Sequence, residues 1–361
     1  MDKITSVQII NPGHLDELNL GHVVPEPPLS RMINKNKDKK KNPGQIFERQ
    51  NDVASLDEEE DVNNEYVVKK LSSFRHGSGT IPTLCPSSED CWIHKYGSKY
   101  NELMTSDGYV IRSSNFGFLV NHMTPAGNGE VLMSDYYNMK LNMLTKSGEI
   151  IEIAETNPLH PFGVCVTVDD DFIVCLVDSD DCITSGKSVR VLARFNRNGE
   201  KIQEINNSKE SRLFTKPYRV RENRNLDILV IDWTSDRTSR LMVINKTGQL
   251  KCICRGRSRK FGEMPFTPSD VCCNSESFVL VSDLTGHAVQ LLNPEYQFVQ
   301  NILAPKDGVE YPLALSLTHD NLWVGSGNGL VSVLQLTKKK HPEANGHIAV
   351  ESKKCRFCII C

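Results

Sequence analysis

The amino-acid sequence predicts an all-β fold, a six-bladed β-propeller preceded by a disordered N-terminal tail. Three observations predict it. From about residue 66 to 337 the chain consists of short β-branched runs separated by turn residues, with no helical period. Glycine-bearing turns at Gly108, Gly148, Gly199 and Gly248 follow one another at intervals of 40, 51 and 49 residues. A buried run ending in a small polar or acidic residue recurs in phase with them, and self-similarity at that period in strands alone is the mark of a propeller.

The tail comes first. Residues 1–65 hold the proline cluster Pro25-Glu26-Pro27-Pro28, the basic run Lys35 to Lys41 and the acidic run Asp57 to Asp61. Such a segment buries too little apolar surface to offset the entropy of ordering it, and its charges keep it solvated. The opening residues carry no apolar core of a secretory signal, and no apolar run reaches the ~18 residues a membrane span needs.

The propeller units follow, at about 84–115, 118–156, 160–210, 215–257, 266–308 and 311–336. Their buried strands read VLMSD (131–135), FIVCLVD (172–178), DILVIDW (227–233), FVLVSD (278–283) and LWVGSG (322–327). The hairpins read TSDGYV, KSGEII, RNGEKI and KTGQLK, each placing glycine where a tight turn needs positive φ. The fifth unit departs from this with Asn-Pro-Glu-Tyr at 293–296. The sixth supplies only three strands, and Tyr66 to Phe74 (YVVKKLSSF) is expected to complete it, closing the ring and removing its exposed edges. Residues 338–361 are expected to form a flexible basic, cysteine-containing tail.

Composition narrows the function classes. With 39% hydrophobic and 24% charged residues, the 361-residue chain has enough apolar content for a large core, and its net charge of −3 supplies no global field for nucleic acid or membrane. Cys165, Cys175, Cys252, Cys254, Cys272 and Cys273 lie inside apolar strand runs, where they read as reduced core thiols of a cytoplasmic protein.

The segments KPYRVRENRNLDILVIDW, RLMVINKTGQL, FVLVSDLTGHAVQLLNPEYQF and YPLALSLTHDNLWVGSGNGLVSVLQL resemble NHL-type repeats. They are similar to the propeller that ends tripartite-motif proteins, especially the mollusc-like set. In that family the propeller follows a RING finger, B-box zinc modules and a coiled coil, and it recognises targets for ubiquitination. Here Cys85 is the first cysteine, and no heptad pattern precedes the blades. The resemblance therefore implies a non-catalytic, protein-binding propeller, an adaptor in ubiquitination at most, with no cofactor.

In a propeller the loops between second and third strands share one face with the blade-to-blade connections, and the glycine hairpins occupy the other. On the first face the fourth unit gathers six cations: Arg237, Arg240, Arg255, Arg257, Arg259 and Lys260. Guanidinium forks suit carboxylates and phosphates, so this sector is the expected partner site, for an acidic protein or, alternatively, single-stranded RNA. A third reading is a metal-dependent hydrolase of the six-bladed lactonase kind, holding a cation in its channel. Against it, Asp135, Asp178, Asp232 and Asp283 recur at one equivalent position, which predicts repeated strand-end hydrogen bonding. Asp169-Asp170-Asp171 reads as a solvated hairpin turn, and His122, His160, His287 and His319 as structural. The carboxyl end, Cys358-Ile359-Ile360-Cys361, has the form of a prenylation signal, with Cys355 a second acylation position, although a terminal Cys is atypical. Membrane contact is expected only with that lipidation; Cys355 and Cys358 also fit a C-x-x-C-x-x-C metal or redox set.

Overall fold

Four-stranded antiparallel sheets form wherever the repeat predicts one. The computed structural model describes residues 66–339, apart from 78, 88 and 206–211. β1 (Tyr66–Arg75) is the first element of the described residues, and the first blade is β2 (Thr83–Ser87), β3 (Asp90–His94), β4 (Tyr100–Met104) and β5 (Val110–Asn115). The second is β6 (Val120–Pro125), β7 (Val131–Asp135), β8 (Lys140–Leu144) and β9 (Ile150–Glu155). The third is β10 (His160–Val166), β11 (Phe172–Val177), β12 (Arg190–Phe195) and β13 (Lys201–Ile205). The fourth is β14 (Pro217–Glu222), β15 (Ile228–Trp233), β16 (Ser239–Ile244) and β17 (Leu250–Cys254). The fifth is β18 (Pro268–Cys273), β19 (Val279–Asp283), β20 (Ala288–Leu292) and β21 (Phe298–Leu303). β22 (Pro312–Thr318), β23 (Asn321–Ser326) and β24 (Leu330–Lys338) make the sixth, whose outer strand is β1.

The ring closes as the sequence predicts. β1 runs antiparallel to β24 from Tyr66↔Lys338 to Arg75↔Leu330, and the edge that β24 would otherwise expose is paired. Among the described residues the only helical element is a short 3-10 turn, Pro305–Asp307, so no helix is long and apolar enough to cross a membrane.

Burial follows position in the blade. Strands β11 and β15 are buried at every residue, because both faces of a second strand pack against neighbouring blades, and their sequences read as continuous apolar runs. The outer strands β13 and β17 are largely exposed and bury only their last residues, Ile205 and Cys254. The core lies between blades; one cluster joins Phe162 and Cys175 of the third blade, Trp233 and Val243 of the fourth and Val281 of the fifth. The nine cysteines among the described residues are all free thiols, most of them buried in this core.

Gly199 shows why the hairpin position demands glycine. Its φ is +81°, and an added Cβ would lie 1.8 Å from the Ile153 carbonyl oxygen of the preceding blade. In the fifth blade Tyr296 takes the same left-handed conformation, at φ 66°. Its hydroxyl donates to Asp227 and accepts from Asn223 Nδ2 at 3.1 Å, so contacts to the fourth blade hold a residue that the turn alone disfavours.

The recurring carboxylates do what their periodicity predicts. Asp135 Oδ1 accepts from the Asn138 amide at 3.1 Å, and Asp178 Oδ2 accepts from the Val189 amide at 2.9 Å. Asp232 accepts from the Thr215 and Lys216 amides at 2.9 and 2.7 Å, and Asp283 from the Thr267 and Gly286 amides, both at 3.2 Å. Each ties the end of a second strand to a connection on the loop-rich face.

The expectations for residues 1–65 lie outside the described residues. So do those for Cys355 and Cys358 and for the tail beyond Lys339.

Candidate functional site

The inner strands set one ring of side chains at the same depth around the axis. The Met123 amide donates to Thr83 Oγ1, the Val164 amide to His122 Nδ1 and the Leu315 amide to Asp270 Oδ2, each bridging two adjacent blades. In the remaining blades that position falls on Gly163, Arg219 and Ala314. Gly163 is required there: a Cβ would lie 2.6 Å from Tyr218 O and 2.7 Å from Arg219 Cα.

Two arginines of β14 fill the axis. Arg219 Nη2 reaches across it to the Pro82 carbonyl at 3.1 Å, and Arg221 Nη1 donates to Thr124 Oγ1 and Val164 O, both at 3.1 Å. Among the described residues neither enters an ion pair. Burial, reinforced by these two cations, depresses the His122 pKa well below the usual imidazole value, so the ring is neutral and its Nδ1 is free to accept. Burial is also the chief cause of the raised pKa of Asp270, which the arginines partly oppose.

At the loop-rich mouth of this axis lies a partly open cleft. Four blades contribute to its aromatic lining: Tyr96 from the first, Tyr136 and Tyr137 from the second, Phe162 from the third and Tyr218 from the fourth. Tyr136 anchors the group, with ring centroids 5.2 Å from Tyr137, 5.1 Å from Phe162 and 4.4 Å from the stacked His160. Phe162 continues to Tyr218 at 5.3 Å. Asp180, from the insertion in the third blade, lines one wall and holds the fully buried Lys216, whose ammonium sits 5.1 Å from the centre of the Phe162 ring. Tyr137 is 42% exposed and offers its ring to solvent. The opposite mouth is a wider, more polar basin, edged by Glu222, Arg224, Asn274 and His319.

The expected basic sector is divided. Arg240 clasps Asp232 through Nε and Nη2 at 3.0 and 2.8 Å, Arg257 holds Glu263 at 3.0 Å, and Arg259 pairs with the buried Asp283. These three cations are committed to carboxylates of their own sector. Arg237, Arg255 and Lys260 remain exposed on the loop-rich face, and Phe261, which follows Lys260 in the chain, is fully exposed. Trp233, by contrast, is buried.

The other expected positions are structural in their contacts. The 169–171 turn is exposed in part but not merely solvated: Asp170 pairs with Arg197 at 2.8 Å, and Asp171 with Arg194 at 3.4 Å. His160 Nδ1 bonds the Tyr136 carbonyl oxygen at 2.9 Å, and His287 Nδ1 accepts the Tyr311 amide at 3.1 Å. No three His, Cys, Asp or Glu side chains converge as a metal site among the described residues.

Known structures share this architecture. The chain is similar to the virginiamycin B lyase of Staphylococcus aureus, at 13% identity and a TM-score of 0.52 over 76% of this chain and 100% of that one. It is similar to a gluconolactonase of Xanthomonas campestris, at 10% identity and a TM-score of 0.57 over 76% and 90%. It is also similar to a PQQ-bound aldose sugar dehydrogenase of Streptomyces coelicolor, at 12% identity and a TM-score of 0.53 over 75% and 98%. The likeness is one of fold. No protein-family model matches the chain, and no curated protein matches its sequence.

Sequence reasoning missed the cleft and the axial arginines. A signal for each was present. The Tyr136-Tyr137 pair follows VLMSD directly, in a loop of the face already singled out, and Arg219 and Arg221 interrupt a first strand where apolar residues are expected.

Proposed function

We propose that this chain is a binding propeller that docks a protein partner on its loop-rich face, seated on the aromatic cleft. The observation that carries this reading is the convergence of Tyr96, Tyr136, Tyr137, Phe162 and Tyr218 at the axial mouth. Aromatic side chains present large contact area with few rotatable bonds, and they concentrate where binding energy is concentrated. Their rings come from loops (Tyr96, Tyr136, Tyr137) and inner strands (Phe162, Tyr218) far apart in sequence but held by a rigid ring of sheets.

The repeat resemblance to the propellers of tripartite-motif ligases extends this reading to target recognition, with the chain acting as an adaptor beside such ligases. An RNA reading rests on Arg237, Arg255, Lys260 and the exposed Phe261, a smaller set than the sequence promised. Replacing Arg255 and Lys260 by Glu should abolish any salt-sensitive affinity for single-stranded RNA; an unchanged affinity discards that reading.

Photo-crosslinking tests the proposal. With p-benzoylphenylalanine at Tyr137, at the cleft, or at Arg224, on the opposite mouth, the native chain is irradiated in cell extract. A discrete protein adduct from position 137 and none from 224 supports docking at the cleft. Adducts confined to 224, or none from either position, rule it out.

A further inference from the structure

Behind the cleft wall formed by Pro82 and Tyr218 lies a charge that the protein leaves incompletely satisfied. Arg219 is 1% exposed. Its guanidinium lies over the Tyr218 ring, 4.0 Å from the centroid, and all its acceptors are neutral: Tyr218 O at 3.2 Å, Pro82 O at 3.1 Å and the Tyr218 hydroxyl at 3.3 Å. Its Nε, fully buried, has no hydrogen-bond partner. No carboxylate comes within ion-pairing distance of Arg219 or Arg221 among the described residues. Asp270, the acid of the same ring, spends its two oxygens on the Val271 and Leu315 amides, both at 2.8 Å. Asp180, the acid of the cleft wall, holds Lys216.

A buried cation ordinarily has an anion or a full set of acceptors, because desolvation without compensation is expensive. Here the two groups that accept from Nη2, Pro82 and Tyr218, are themselves cleft-lining residues. The guanidinium therefore backs directly onto the wall of an aromatic pocket. An anionic oxygen entering between Pro82 and Tyr218 exchanges a long, neutral hydroxyl contact for a charge-assisted one, while the group that carries it covers the rings.

We infer that the cleft accommodates an apolar or aromatic group bearing an anionic oxygen, with the oxygen seated on Arg219. The inference rests on the cleft being the binding site and adds its chemistry. A small aromatic acid and the carboxylate of a partner's apolar C-terminal residue share that chemistry.

Two dyes with the same rings separate charge from apolar contact: 1-anilinonaphthalene-8-sulfonate and its uncharged analogue N-phenyl-1-naphthylamine. Fluorescence titration of the folded full-length chain should show the sulfonate binding at least about tenfold more tightly. Arg219→Met should remove that advantage and leave the neutral dye unchanged, whereas Tyr137→Ala should weaken both. Should Arg219→Met fail to fold, Tyr218→Phe serves instead: it frees Nη2 of its hydroxyl and should tighten the sulfonate alone. Equal affinities for the two dyes, or a sulfonate affinity that neither Arg219→Met nor Tyr218→Phe changes, overturns the anion inference and leaves the cleft standing. Failure of both dyes to bind, or indifference of both to Tyr137→Ala, overturns the cleft itself. Displacement of the sulfonate by indole-3-acetate supports a small acid. Displacement by a Trp-ended peptide with a free but not an amidated C-terminus supports a chain end. Displacement by neither means that the dye is merely adsorbed, which also overturns the inference.

Discussion

Acidification should destabilise this propeller, and one buried histidine supplies a share of the loss that can be isolated. His94 closes strand β3 at 3% exposure, and its Nδ1–H donates to Asn101 Oδ1 at 2.9 Å. Burial pushes its pKa from 6.5 down to about 4, and the bond to Asn101 offsets only part of that shift. A histidine whose folded-state pKa is depressed contributes stability that is complete above the unfolded value. That stability is lost as pH falls from about 6.5 toward about 4. At about 1.4 kcal/mol per pKa unit, the loss is about 2 kcal/mol between pH ~7.5 and pH ~5, and it saturates near 3 kcal/mol below pH ~4. Urea unfolding at the two higher pH values measures it. His94→Gln keeps a donor for Asn101 but cannot titrate, so its own difference between the two pH values should be smaller by about 2 kcal/mol. Burial also lowers the pKa of His76, His122 and His287, and these remain in both proteins, so the comparison isolates His94. An identical pH dependence in wild type and variant would falsify the assignment.

The remaining predictions concern how the ring is held. Asp232→Ala leaves the buried Lys216 amide and the part-buried Thr215 amide without an acceptor and Arg240 without its anion, and should cost about 3 kcal/mol in chemical denaturation. Arg240→Met, removing a partner that is 30% exposed, should cost only about 1 kcal/mol; equal losses would show that the amides matter little. Gly163→Ala forces a methyl against the backbone of β14 and should lower stability by about 1–3 kcal/mol, whereas an unchanged thermal midpoint means that the two inner strands sit farther apart than described. Deleting residues through Arg75 removes β1 and uncovers β24, so light scattering should find dimers or aggregates; a stable monomer would contradict closure by that strand.

The architecture was legible because it repeats. A period in the hairpin glycines, continuous apolar second strands and a sixth unit short of one strand are local facts, and each blade folds by local antiparallel pairing. Even the role of Asp135, Asp178, Asp232 and Asp283 could be read, since a residue recurring at one structural position is selected by that position. Tyr296 marks where the pattern broke without the turn breaking: its hydroxyl contacts lie about 70 residues away in the chain, with Asp227 and Asn223.

What binds, and where, was decided only by closure. The sequence set six cations on one sector, but it could not show that Arg240, Arg257 and Arg259 would each meet a carboxylate, because those distances are set when loops and strands pack. Tyr96, Tyr136, Tyr137, Phe162 and Tyr218 span more than 120 residues of chain and meet only because four blades share an axis. Arg219 finds Pro82 across that same axis, 137 residues away. Local periodicity specifies a blade. The cleft and the charge behind it come from the radial arrangement of blades, which no single segment encodes.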